Sequence, residues 1–206
     1  MDKYKETFET WNNLASKYQE QFMNLDRYNE TYDFICNSIT KDKANLLEIG
    51  CGPGNITKYL LSKKIDFNIF GIDIAPNMIE LAQKNNPSAK FEVMDCREIG
   101  KIENKFDGII CGFCLPYLSK EETSKLIQDS YQLLNNEGLI YISFVEGEYA
   151  KSDFKTSPNG RVFFYFHELE RIESELSSND FEKLELFKIS ITEKDIHTIL
   201  IAKRKS

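Results

Sequence analysis

The chain has 206 residues, 41% of them hydrophobic and 29% charged, which suits one globular domain with a sizeable core. Its net charge of −7 and isoelectric point near 5.1 disfavour binding to a phosphate backbone, so no nucleic-acid partner is expected. No apolar run reaches the roughly 18–20 residues that span a bilayer, and the polar opening MDKYKETFETWNNLASKYQEQF lacks the apolar centre of a signal peptide. The expectation is therefore no membrane partner and a cytoplasmic location.

The first forty residues read as a helical cap, with Tyr18, Phe22, Leu25 and Tyr28 recurring at spacings of four and three as one apolar stripe. Asn45 to Ile49 predicts a buried strand that ends at a glycine cluster, and Asn55 to Lys64 a helix. Strands follow at Phe67 to Ile72, Lys90 to Met94, Phe106 to Cys111 and Gly138 to Phe144. Helices fall between them at Pro76 to Lys84 and Glu121 to Leu134, and the turn Asn135-Asn-Glu-Gly138 leads into the last of these strands.

Beyond it, Val145 to Arg161 is the one long irregular stretch. Glu168 to Leu176 reads as a helix. Phe181 to Ile191 and Thr198 to Ala202 are β-rich, and the link Thr192 to Asp195 is too short for a crossover helix, so these strands should pair antiparallel. Alternating strands and helices predict one α/β domain over 1–206. It should hold a mostly parallel seven-stranded sheet, helices on both faces and a closing β-hairpin.

The strongest local signal is Leu46-Leu-Glu-Ile-Gly-Cys-Gly-Pro-Gly54. A buried strand runs into three alternating glycines and then a helix. Glycines permit positive φ and close approach of a ligand, and the helix start offers free N–H groups. A dinucleotide site needs Gly-x-Gly-x-x-Gly, and a P-loop needs Lys-Ser/Thr after its glycines; neither pattern is present. A tight turn with no ligand is the bland alternative.

This run resembles motif I of the class I S-adenosylmethionine-dependent methyltransferases, whose fold is Rossmann-like. Glu48, Gly50, Gly52 and Gly54 stand at the matching places, and the resemblance sets Gly50, Cys51 and Gly52 against the methionine part of the cofactor. Asp73, at the end of Phe70-Gly-Ile-Asp73, matches the acid that accepts the ribose diol; its plain alternative is a helix N-cap. Ile74 and Met78 would lie near the adenine. Asp95 matches the acid at the adenine amino group, with the Cys96 backbone beside it. Phe106-Asp-Gly-Ile-Ile-Cys-Gly112 resembles the fourth strand, with Cys111 beside the cofactor and Asp107 structural. Trp11 to Tyr18 resembles the opening helix of small-molecule members, and Tyr18 would close over the cofactor.

The resemblance implies transfer of methyl from S-adenosylmethionine, with S-adenosylhomocysteine as product. Members that methylate adenine amines carry Asn/Asp-Pro-Pro-Tyr where this chain has Phe113-Cys-Leu-Pro-Tyr117, and cytosine enzymes use Pro-Cys, which is absent. A small-molecule acceptor is therefore expected. The rival readings are a cofactor-binding regulatory protein without turnover and a nicotinamide oxidoreductase.

Other groups carry weaker signals. The five cysteines (Cys36, Cys51, Cys96, Cys111, Cys114) are odd in number and scattered, so no disulfide framework is expected, and the lone Cys111-x-x-Cys114 has no second pair for zinc. No metal is expected. Of the two histidines, His197 reads as a surface residue, and His167 is the candidate general base, set against a bland helix-start role. The substrate lid is predicted over 145–166, carrying Tyr149 and Phe154, with Arg161 and His167 at its border.

Overall fold

Strands buried on both faces demand helices on both sides of the sheet, and the apolar runs of this chain meet that condition. The computed structural model describes residues 2–192 and 195–206. Two helices, α1 (Lys3–Phe22) and α2 (Asn29–Ser38), lead into β1 (Asn45–Ile49), α3 (Asn55–Lys63), β2 (Asn68–Asp73), α4 (Pro76–Asn85) and β3 (Lys90–Val93). Then come β4 (Phe106–Cys111), α5 (Lys120–Leu133), β5 (Leu134–Val145), β6 (Asp153–Ser157), β7 (Gly160–Phe164), α6 (Leu169–Ser178), β8 (Phe181–Thr192) and β9 (Asp195–Arg204).

Seven strands form one sheet in the order β3-β2-β1-β4-β5-β9-β8. The first five run parallel, and β9 lies antiparallel between β5 and β8. Side chains alternate across the sheet. Leu47, Ile49, Ile109 and Ile140 join Leu126 and Ile127 of α5 and Ile172 of α6 on one face. Leu46, Ile110 and Tyr141 join Ile35 of α2 and Leu60 of α3 on the other. The strand order reverses between β1 and β4, and such switch points open a crevice at the carboxyl ends of the strands.

Three local expectations differ from the structure. The apolar stripe of the first forty residues is not one helix. α1 ends at Phe22, and Asn24 and Asp26, both turn formers, break the chain before α2. The stretch from Val145 to Arg161 is not irregular. β6 and β7 pair as an antiparallel ribbon from Asp153↔Phe164 to Ser157↔Gly160. Its turn, Ser157-Pro-Asn-Gly160, has turn chemistry that the sequence displays, and Gly160 takes a φ of +130° there.

The Asn135-Asn-Glu-Gly138 turn lies inside β5, at an irregularity in its register with β4 between Phe106 and Gly108. The Thr192 to Asp195 link falls on residues 193–194, outside the described residues. Among the described residues, no helix is long and apolar enough to cross a membrane.

Candidate active site

The turn out of β1 carries Gly50, Gly52 and Gly54, all with positive φ. At Gly54 a Cβ would lie 2.4 Å from Asn86 Nδ2, the same amide that donates to the Gly54 carbonyl at 2.9 Å. Two bonds lock this turn to the end of β2. The Cys51 amide donates to the Ile72 carbonyl at 2.9 Å, and the Gly52 amide donates to Asp73 Oδ2 at 2.9 Å. Asp73 Oδ1 accepts the Ala75 amide at 2.8 Å. Burial raises the Asp73 carboxyl above its ordinary value, against the lowering by these two amides.

Asp95, just past β3, is clamped differently. Its Oδ1 accepts the Arg97 amide at 2.9 Å, and the Arg97 guanidinium grips the carboxylate. Burial pushes Asp95 up, but the Arg97 bonds outweigh it and hold the carboxyl below the usual range. Arg97 also reaches Glu122 Oε1 at 3.3 Å and lies over the Tyr4 ring, 4.4 Å from its centroid. Glu122 closes the capping box of α5 with Ser119 and accepts the Tyr4 hydroxyl at 2.7 Å. Sequence reading missed this link between α1, α5 and the Asp95 loop; the Ser119-x-x-Glu122 spacing was its only visible sign.

Two cavities open at the crevice. The smaller, about 170 Å³, is lined by Tyr18, Gly50, Gly52, Asp73, Ile74, Met78, Asp95 and Cys96, which brings together most of the sequence-predicted cofactor residues. Three of those predicted residues lie elsewhere. Cys111 is fully buried among the side chains under α5, because strand alternation turns it into the core; Gly112, Phe113 and Cys114 line the cavity instead. Cys51 points away too, packed with Ile79, Ala82 and Phe91. Glu48 lines the larger cavity.

That larger cavity, about 550 Å³, shares Trp11, Tyr18, Gly50, Gly112, Phe113 and Tyr117 with the smaller one. Its remaining wall combines the aromatic Phe22, Tyr28, Tyr32, Phe164 and Phe166 with polar groups that include Lys155, Asp195 and His197. Glu48 is buried. One of its oxygens accepts the Thr57 hydroxyl, while Oε1 has no hydrogen-bond partner. Burial pushes its carboxyl up to about 8, against the lowering by Thr57.

The two histidines lie in contrasting surroundings. His167 is 0% exposed, lines neither cavity, and holds Nε2 2.9 Å from the Leu115 carbonyl oxygen. That contact ties the start of α6 to the turn after β4. His197 lines the larger cavity, with Nδ1 2.6 Å from Tyr28 Oη. No local signal could reveal that pairing, since it depends on which helix covers β9.

Lys155 and Phe164 of the β6–β7 ribbon and Phe166 just past it line the larger cavity, and the expected Tyr149, Phe154 and Arg161 do not. Tyr149 stacks on Tyr165 at 5.7 Å, Phe154 packs against Phe163 at 5.2 Å, and Arg161 pairs with Glu6 of α1. Asp107 is structural, accepting from Lys41, the Asn45 amide and Asn135.

The sequence profile of the methyltransferase domain family matches residues 46–138. That segment runs from β1 into β5 and holds the glycine turn, Asp73 and Asp95. Over these residues, a little under half of the chain, the sequence is similar to a methyltransferase domain. A methyltransferase-named protein of Alkaliphilus oremlandii is 27% identical over 179 residues, which are 82% of this chain and 81% of that protein. A protein of Invertebrate iridescent virus 6 that also bears a methyltransferase name is 30% identical over 118 residues, 57% of this chain but only 43% of its own length.

The magnesium protoporphyrin IX methyltransferase of Synechocystis PCC 6803, solved with S-adenosylmethionine, superposes with a TM-score of 0.77 at 18% identity. The superposition covers 100% of this chain and 98% of that one. At that identity the likeness is one of fold. In the present chain α1, the β6–β7 ribbon and β9 lie outside the matched segment, and they supply much of the larger cavity's wall.

Proposed function

We propose that this methyltransferase moves the methyl group of S-adenosylmethionine onto a small-molecule acceptor, with the cofactor in the smaller cavity and the acceptor in the larger. The observation that carries this reading is the wall the two cavities share, Trp11, Tyr18, Gly50, Gly112, Phe113 and Tyr117. Two ligands in these spaces would meet at that wall, and a larger cavity of about 550 Å³ falls within the range usual for small-molecule sites.

The residues present fit the cofactor. The smaller cavity brings the Asp73 and Asp95 carboxylates together with the Gly50 and Gly52 turn, acceptors for a diol and an amino group at one end and backbone without side chains at the other. Bound there, the cofactor supplies a methyl with its own leaving group, so the chain need only align, desolvate and deprotonate.

Asp73 keeps further lone pairs for a ribose diol after accepting from Gly52 and Ala75. Asp95, held ionised by Arg97, is an acceptor for the adenine amino group beside the Cys96 backbone. The Gly50 and Gly52 turn admits the methionine part at close range. Trp11, Tyr18 and Tyr117 exclude water from the junction. α1 and the β6–β7 ribbon, residues within 145–166, form a cover over the acceptor.

Screening a metabolite library for release of S-adenosylhomocysteine tests this reading. Release with a small molecule is expected. Tight cofactor binding with no release from any small molecule would favour a regulatory protein, and release only with a nucleic acid or protein would overturn the acceptor class.

A further inference from the structure

Tyr28 and His197 line the larger cavity and not the smaller. Their rings are nearly parallel, 9° apart, with Nδ1 of His197 2.6 Å from Tyr28 Oη. Phe113, part of the shared wall, lies 4.8 Å from the His197 ring. Around the imidazole, Val145 of β5 and Ile189 of β8 are the cross-strand neighbours and bring no charge. The charged groups that face it are Asp195 of its own strand, with Oδ1 3.7 Å from Nε2, and Arg27 just before α2. Burial lowers the imidazole below its ordinary value, opposed by Asp195 and helped by Arg27. The ring is therefore neutral at neutral pH and free to take a proton. Lys155 is a cation in the wall of this cavity, its Nζ 4.9 Å from the Phe166 ring centroid.

We propose that Tyr28 and His197 form a proton relay for the methyl acceptor, and that the acceptor is an aromatic compound bearing an ionisable hydroxyl and an anionic group, the latter held by Lys155. This rests on the assignment of the larger cavity to the acceptor. A neutral amine can attack before it loses a proton, whereas a hydroxyl gains from a base at the moment of attack, so a relay in the acceptor's own cavity points to oxygen. Tyr28 takes the proton of the acceptor's O–H as its own proton passes to His197 Nδ1. The oxygen's electron pair forms the new C–O bond, and the pair of the broken S–CH₃ bond stays on sulfur. Asp195 stabilises the imidazolium that results. Tyr28 is the group that touches the acceptor, and His197 acts through it. The aromatic wall supplies the stacking surface for a flat substrate.

The test uses a hydroxynaphthoate whose hydroxyl and carboxylate sit on opposite rings, titrated into protein saturated with S-adenosylhomocysteine. Saturable binding is expected, with a naphtholate absorption band at neutral pH, where the free probe is un-ionised at its hydroxyl. His197→Gln and Tyr28→Phe should each bind the probe but lose the band. Lys155→Met should weaken binding by about fivefold, the upper range for a partly exposed pair. No saturable binding, or no band in the unmodified protein, or a band that survives in both His197→Gln and Tyr28→Phe, overturns the relay. Calorimetry with S-adenosylhomocysteine alone, run on every variant, separates the two readings. Intact cofactor-product binding without the band defeats the relay only, while no binding in the unmodified protein defeats the cofactor assignment and the relay with it.

Discussion

The backbone amide of Gly52 donates to Asp73 Oδ2 at 2.9 Å, so the glycine turn and the end of β2 form one unit. Asp73 therefore has two duties, since its other oxygen holds the Ala75 amide at 2.8 Å. Replacing Asp73 by Ala should lower affinity for S-adenosylhomocysteine by about tenfold or more, the worth of charge-assisted bonds to a diol. It should also destabilise the protein, because two part-buried amides lose their acceptor at about 1–3 kcal/mol each. Calorimetry and thermal melts read the two effects separately. Unchanged affinity in the variant would remove Asp73 from the ribose site.

The sheet and the glycine turn were legible because local rules dictate them. The run Leu46-Leu47 into Gly50, the acid closing Phe70-Gly71-Ile72-Asp73, and the alternation of strand and helix each need only a short window of sequence. What was not legible depends on distant partners. His197 faces the cavity only because Tyr28 meets it across 169 positions of sequence. Cys111 is hidden because β4 lies in the middle of the sheet with helices above that face. His167 read either as a base or as a helix-start residue, and the Leu115 carbonyl holds it in the interior just before α6. The β6–β7 ribbon was legible in part, since Pro158-Asn159-Gly160 announces a turn, but its strands gain their place from α1 through Thr7 and Thr10.

Glu48 should make stability depend on pH. Its carboxyl is pushed up to about 8 in the folded protein, from an ordinary value of 4.5. Between those values the folded state holds a proton that the unfolded state has released, so this contribution to stability falls as pH rises through the window. It is complete below about 4.5 and gone above about 8, and the loss is on the order of a few kcal/mol. Glu48→Gln keeps an oxygen for the Thr57 hydroxyl and removes the titration. Its melting temperature should decline less than that of the parent between pH 5 and 8. Parallel curves for the two proteins would contradict the raised value.

The ribbon should be fastened to α1 mainly by hydroxyls. Thr10 Oγ1 donates to the Arg161 carbonyl at 2.9 Å, and the Phe163 amide donates to Thr7 Oγ1 at 2.9 Å. The Arg161–Glu6 ion pair beside them has a guanidinium side chain that is 45% exposed, so solvent screens it. The double variant Thr7→Val/Thr10→Val should lose about 1–3 kcal/mol per bond, and limited proteolysis should cut it faster within 153–160. Arg161→Ala should lose less than the double variant, because solvent screens that pair. The reverse ranking would show that charge rather than the hydroxyls holds the ribbon.

Phe166 separates the two cavities as a matter of experiment, because it lines the larger and is absent from the smaller. Its ring packs 5.3 Å from that of Phe164 and lies under the Lys155 ammonium. Phe166→Ala removes apolar surface from the acceptor's wall and admits water beside the shared wall at Phe113 and Tyr117. With the acceptor that S-adenosylhomocysteine release identifies, KM should rise about tenfold or more, because a lost aromatic contact of this size is worth roughly 1.5–3 kcal/mol. The affinity for S-adenosylhomocysteine should stay within about twofold, since no wall of its cavity has changed. A fall in cofactor affinity with an unaltered acceptor KM would mean that the two ligands occupy the opposite cavities.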